Sequence, residues 1–298
     1  MPKLEPGSPE WIRCVTASKV PAILGISRYQ SQYALWHEMA GLVEPAPLGV
    51  QKQDLFDYGH AAELAAAEYW KYRTPGWRIS TGEVQFTLPD LGFPNAATID
   101  RRASRGRARR IVEVKTARSL EEWGDDGSGE APADYTAQVT WQMLVSGIHE
   151  ADIVLWPTYG MPRIYPIEWD RELADAILDR VRAWVASLQA GTPPELDNSI
   201  ATYECLKRLN PGIDRDSTVS VDRDLAIQYL QATVELRENE KWLQGLKNQL
   251  LAEMGTAQYA ESDGVRIADR RNGRGESVNL YAAKSAALKL LAEVSDVA

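Results

Sequence analysis

The chain has 298 residues, which bounds it at one large domain or one domain with an appendage. Its 33 basic against 42 acidic residues give a formal charge of −9, which excludes a nucleic-acid binder working through overall positive charge but leaves a local basic track open. Apolar residues at 44% exclude wholesale disorder, no apolar run approaches ~18 residues, and two cysteines exclude a four-cysteine cluster within the chain.

The polar, Pro-containing start lacks the apolar segment of a signal peptide, and the low cysteine count fits a reducing cytoplasm. With only His37, His60 and His149 available, metal chemistry falls to carboxylates, which suit hard ions such as Mg²⁺ or Mn²⁺.

In chain order, the first predicted helix opens near Ser18 as its cap, carries Pro21 in its first turn and ends at Gly25. Ser31 opens a second helix that Gly41 closes, and a longer one spans residues 54–73 before Pro75-Gly76. Strands are predicted over residues 77–79, 83–88, 96–101 and 110–116, with residues 101–110 as an arginine-rich connection. Residues 121–133 read as a flexible loop and residues 132–146 as a helix. Strands at 153–156 and 163–168 and an amphipathic helix at 170–189 complete a compact unit ended by Gly191-Thr192-Pro193-Pro194. Beyond it, Leu225, Tyr229, Ala232, Leu236, Asn239, Leu243, Leu246 and Leu250 mark a helix of about 30 residues stopped by Gly255. The stripe serves packing against the core or association, with Asn239 able to set register. Asp263-Gly264 signals a hairpin, and Arg270, Arg271 and Arg274 surround a second turn. The expected boundary therefore divides residues 1–191 from 192–298.

The chemistry gathers in residues 95–117. Strand alternation puts Glu113 and Lys115 on one face and Val112 and Val114 on the other. If the preceding strand pairs with this one, Asp100 approaches Glu113. Two acids beside a lysine form a site for a hard cation, where the acids hold the ion and the lysine orients a nucleophile or offsets developing charge. Glu63 shares a helical stripe with Phe56, Gly59, Ala67 and Trp70, where a carboxylate asks for a cationic partner. On the helix at 132–146, Tyr135, Gln138 and Gln142 form a polar stripe suited to phosphate oxygens or water. Arg101, Arg102, Arg105, Arg107, Arg109 and Arg110 fall in ten residues and supply the basic track.

Gly59-x-x-x-Glu63, Asp100, Glu113-Val114-Lys115 and Tyr135-x-x-Gln138, in this order, resemble the PD-(D/E)XK nuclease superfamily, and within it the YqaJ-like viral recombinase group that includes phage lambda exonuclease. Thr16-Ala17-Ser18 with Ala22-Ile23-Leu24-Gly25-Ile26, and Ala137-Gln138-Val139, are similar to further segments of that group. The resemblance covers about residues 8–190 and implies an α/β restriction-endonuclease-like core, a central mixed sheet flanked by helices, with a long helix and hairpin as C-terminal extension. It implies Mg²⁺, with Mn²⁺ able to substitute, held by Asp100, Glu113 and the Val114 carbonyl with help from Glu63. Lys115 would be the catalytic lysine and Gln138 its orienting partner. Ser18, Thr98 and Arg13 would receive a DNA 5′-phosphate, Arg13 standing in for a family arginine whose own position holds Trp11. Tyr135, Gln142, Arg101, Arg102, Arg105 and Arg107 would contact DNA. The implied activity is 5′-to-3′ degradation of one strand at double-stranded DNA ends, leaving 3′ single strands for a phage annealing protein, by a homo-oligomeric ring (trimer or tetramer) in the bacterial cytoplasm without membrane contact. The alternatives are a non-catalytic DNA-end-binding adaptor and a related PD-(D/E)XK repair nuclease.

Overall fold

The computed structural model describes residues 3–46, 49–273 and 277–283, and the chain divides into two compact units after Ile213. The first contains α1 (Pro9–Arg13), β1 (Val15–Thr16), a 3-10 turn (Ala17–Lys19), α2 (Val20–Ile23), α3 (Gln32–Met39), α4 (Val50–Arg73), β2 (Arg78–Ile79), β3 (Val84–Phe86), β4 (Asn95–Ile99), β5 (Arg101–Arg105), β6 (Ala108–Ala117), α5 (Ala133–Ser146), β7 (Glu150–Pro157), β8 (Arg163–Glu168), α6 (Arg171–Ala190) and α7 (Ile200–Leu209).

The main sheet has the order β2-β5-β6-β7-β8 and a smaller one the order β1-β4-β3. β6 and β7 run parallel, joined by α5 as crossover, while β5 and β8 pair antiparallel on either side. β6 is covered by packing on both faces. On one face, Val112 and Val114 pack with Ala66 and Trp70 of α4 and with Trp77. On the other, Ile111 packs with Val139 and Met143 of α5. The far side of α5 presents Ala137, Trp141 and Val145 to Val20, Trp36, Val181 and Trp184, a second core that sandwiches α5. This is the mixed α/β architecture with helix-flanked sheets that the sequence leads one to expect.

Four features depart from the sequence reading. α4 starts at Val50, with Gly49 as its N-cap. The arginine-rich connection is the hairpin β5–β6, turning at Gly106, whose φ of +59° suits glycine. Residues 121–133 are anchored: Trp123 stacks against Tyr165 with ring centroids 4.9 Å apart, and the Gly124 carbonyl accepts from the Tyr165 hydroxyl and an Arg163 guanidinium N–H. Within this loop a Cβ on Gly129 would lie 2.9 Å from the Pro166 carbonyl oxygen.

α7 is the fourth. It packs on α3, where Cys205 joins Ala34 and Val43, and the Thr202 hydroxyl donates to Ser31 Oγ at 2.8 Å. The first unit therefore runs past the expected boundary at residue 191 to Ile213. Cys14 and Cys205 are both free and buried.

The second unit holds α8 (Arg223–Met254) and a three-stranded antiparallel meander of β9 (Tyr259–Ser262), β10 (Val265–Asn272) and β11 (Val278–Ala282). Asp222 caps α8 by accepting from the Asp224 and Leu225 N–H groups. Leu225, Tyr229, Leu236 and Leu243 of the heptad stripe are exposed. Asp263 and Gly264, with φ of +50° and +75°, make the predicted hairpin turn. Arg271 pairs with Asp269, Arg270 donates to the Gly255 carbonyl, and Arg274 lies outside the described residues. Among the described residues no helix is long and apolar enough to cross a membrane.

Candidate active site

Asp100 is the single residue between β4 and β5, where the chain passes from the small sheet to the large one. Its Oδ2 accepts from the Val114 N–H at 2.7 Å, which brings it against β6 beside Glu113. The Arg101↔Val112 register fixes this placement. Glu113, 3% exposed, has both oxygens engaged. Oε1 accepts from Lys115 Nζ at 2.8 Å and from Gln138 Nε2 at 2.6 Å, and Oε2 accepts from Gln142 Nε2 at 2.8 Å. Lys115 also donates to Gln138 Oε1 at 3.1 Å and lies 5.1 Å from the Tyr135 ring centroid. Glu63 reaches this cluster from α4 through Arg101, at 3.6 Å.

The electrostatics are unbalanced. Three carboxylates, Glu63, Asp100 and Glu113, face two cations, Lys115 and Arg101. Burial pushes the Asp100 carboxyl well above its ordinary range, and the charges of Glu113 and Glu63 push it further against the pull of Lys115. Burial likewise raises Glu63. Burial favours a neutral Lys115, yet Glu113 and Asp100 outweigh it and hold the ammonium above its usual value.

These residues fit a hard divalent ion. Among the described residues no three His, Cys, Asp or Glu side chains form a closed cage. One or two carboxylates, with the remaining positions left to water and phosphate, is how Mg²⁺ is commonly held. The excess of buried negative charge is what such an ion would offset.

The structure gathers Asp100, Glu113, Lys115, Gln138, Tyr135 and Glu63 as the sequence reading expects, with the Val114 N–H serving Asp100. β1 runs parallel to β4 with Thr16 opposite Ala96, so Ser18 and Thr98 each follow that pair by two residues. Ser18 is exposed and lies 3.0 Å from the Thr16 hydroxyl, while Thr98 Oγ1 accepts from Gln85.

Other expectations are corrected. Arg13 precedes β1 and therefore sits at the opposite end of β4 from Asp100, lining a cleft with Phe93, Pro94 and Val185. Gln142 is fully buried and grips Glu113 instead of facing DNA. Arg101 is 5% exposed, its guanidinium donating to the Asp100 carbonyl and pairing with Glu63. Arg102 is exposed, and its pairing with Ile111 puts it on Glu113's face of the sheet. Arg105 stacks over Trp77 at 4.8 Å, and Arg107 lies in the hairpin turn. From that turn to Lys115 is a span on the order of 20 Å along β6, so the tip does not emerge beside the acids.

Two residues escape the sequence reading. Arg28 clamps Asp134 with two hydrogen bonds of 3.0 Å, reaches Glu122 at 2.8 Å and lies 5.5 Å from the Tyr135 centroid. Lys19, 5% exposed, donates to the Ile12 and Cys14 carbonyls at 2.8 and 2.9 Å, and burial lowers its pKa to about 8. Neither carries a local sequence signal, since their partners are set by tertiary packing and by the turn after α1.

Acids and a lysine on neighbouring positions of a mixed sheet, with a glutamine-bearing helix laid over them, make up the candidate site. The family model of the YqaJ-like viral recombinase domain matches residues 11–149 of the chain. It is a nuclease. Among solved structures it is similar to an alkaline exonuclease from Laribacter hongkongensis, at 20% identity over 60% of this chain and 90% of that one, with a TM-score of 0.48. It is also similar to a phage-related exonuclease from Haemophilus somnus 129PT, at 15% identity over 59% of this chain and 94% of that one, with a TM-score of 0.40. No curated protein matches the sequence.

Proposed function

We propose that the chain is a divalent-metal-dependent exonuclease that degrades one strand of double-stranded DNA from its 5′ end and leaves a 3′ single strand for a phage annealing protein. The observation that carries this reading is the Lys115–Glu113–Gln138 triangle held against Asp100. Asp100 and Glu113, with the Val114 carbonyl, would hold Mg²⁺ or Mn²⁺, and Glu63 would assist from α4. When bound, the ion polarises a phosphate oxygen and lowers the pKa of water.

The chain's own residues do the rest. Lys115, held as an ammonium, orients the attacking water and offsets charge growing on the phosphate. Gln138 and the Tyr135 ring fix that ammonium in place. Thr98, two residues before Asp100, and Ser18, in the turn after β1, would receive the 5′-phosphate. Arg102, on the same face of the sheet, would meet the backbone. Action as a homo-oligomeric ring follows from the family likeness and is part of the proposal.

The deciding experiment is digestion of linear duplexes labelled at the 5′ or 3′ end, with and without 5′-phosphate, in Mg²⁺ or EDTA. Release of 5′ label in Mg²⁺ alone, faster from phosphorylated ends, is expected. Binding without digestion would turn the reading to an adaptor, and release of 3′ label first would reverse the polarity.

A further inference from the structure

Gln142 lies on α5 one turn after Gln138, and its side chain is fully buried. Its Nε2 donates to Glu113 Oε2 at 2.8 Å and to the Thr98 carbonyl at 2.9 Å. A carboxylate and a backbone carbonyl only accept, so the amide has one workable orientation, with its NH₂ toward both. That orientation leaves Gln142 Oε1 buried with no hydrogen-bond partner. A buried acceptor without a partner is costly, and an aliphatic side chain would fill the same space without that atom. The cost is kept where the donor serves something else. Glu113 Oε1 has two donors, Lys115 and Gln138, whereas among the described residues Oε2 has the Gln142 amide alone.

We infer that Gln142 is a positioning residue for the metal-holding carboxylate. By pinning Oε2 to the Thr98 backbone through one amide group, it fixes the plane of the Glu113 carboxylate against rotation. Lys115 and Gln138 gather on Oε1 and leave that rotation open. This inference rests on the reading that Glu113 holds a divalent ion. It assigns Gln142 to that ion's support, in place of a contact with DNA. Partners of ligating carboxylates typically change metal affinity 10–100-fold when removed.

The test is a double-mutant cycle on Mn²⁺ affinity, measured by calorimetry on the full chain, with thermal melts to certify folding. The four proteins are wild type, Gln142→Leu, Glu113→Gln and the double variant. Gln142→Leu is expected to melt cooperatively and to bind Mn²⁺ about tenfold more weakly. The double variant is expected to bind no more weakly than Glu113→Gln alone, since Gln142 acts through Glu113. Gln142→Met, which keeps the side chain's length, replaces the leucine variant if that one does not melt cooperatively. Wild-type affinity in a folded Gln142 variant, or losses that add in the double variant, would overturn the inference. A Glu113→Gln protein that binds Mn²⁺ as wild type does would instead remove the metal reading beneath it, a separate signature.

Discussion

Glu113 and Asp152 lie on neighbouring strands of one sheet and are both buried, at 3% and 2% exposure. Asp152 accepts from the Trp70 indole N–H at 2.7 Å and from Arg110 at 3.0 Å. Trp70 is fully buried, and Arg110 continues outward to the exposed Glu150. One buried acid is thus met by one guanidinium and one indole. Glu113 has Lys115 and two amides, but the same ammonium also answers Asp100, and Glu63 stands nearby paired to Arg101 at 3.6 Å. A buried carboxylate is therefore no mark of function by itself. The mark is negative charge that the fold gathers without enough cations.

The comparison breaks first if the two faces of the sheet, the Glu113 face and the Asp152 face, respond alike to mutation. Lys115→Met and Asp100→Asn should each lower single-turnover digestion of linear duplex by more than about 100-fold, in proteins that still melt cooperatively. Activity within a few fold of wild type in Asp100→Asn would show that the unbalanced cluster is not the site. On the other face, Asp152→Ala strands the Arg110 guanidinium and the Trp70 indole. Urea unfolding should show a loss of about 3–5 kcal/mol, with Mn²⁺ affinity of the folded protein unchanged. A mild stability loss with altered metal affinity would mean the two faces are not independent.

The pH dependence sharpens the same contrast. The folded-state pKa of Asp100 is raised above its ordinary value of 3.8, so the folded chain binds a proton that the unfolded chain has released. Its contribution to stability is full below that ordinary value and is lost as pH rises toward the folded one. Metal-free melting temperature should fall as pH rises above about 4, and Asp100→Asn should flatten that fall. Added Mg²⁺ should restore wild type more than the variant. Melts that are flat in wild type would remove the charge excess from the account.

Much of this site was legible in sequence, and what was missed has definite causes. Alternation alone places Glu113 and Lys115 on one face, and the spacing of Tyr135, Gln138 and Gln142 places them on one helical stripe. Pattern could not tell which of these face solvent. Gln142 looks like a surface amide because only the tertiary position of α5 buries it. β5 was hidden because arginines mask its alternation, yet Arg101 is buried by its pair with Glu63 on a distant helix. α7 turns only Thr202 and Cys205 fully inward, too thin a stripe to read. The position of Arg13 depends on β1 running parallel to β4, which no local spacing encodes.

The smallest expected effect concerns where the duplex lies. A chain of net charge −9 should bind DNA only where local cations meet phosphate, so cleavage should fall steeply with salt. Arg102 lies on Glu113's face, whereas Arg105 and Arg107 belong to the hairpin tip at the Arg110–Asp152 end. Each phosphate contact removed should lower the slope of log(kcat/KM) against log[salt] by about 1. Arg102→Gln should therefore lower it by about 1, and Arg105→Gln with Arg107→Gln together by less than that. If the double variant lowers the slope by about 2 while Arg102→Gln does nothing, the duplex runs along the hairpin tip. The face of the sheet built around Asp152 would then serve DNA as well as the fold.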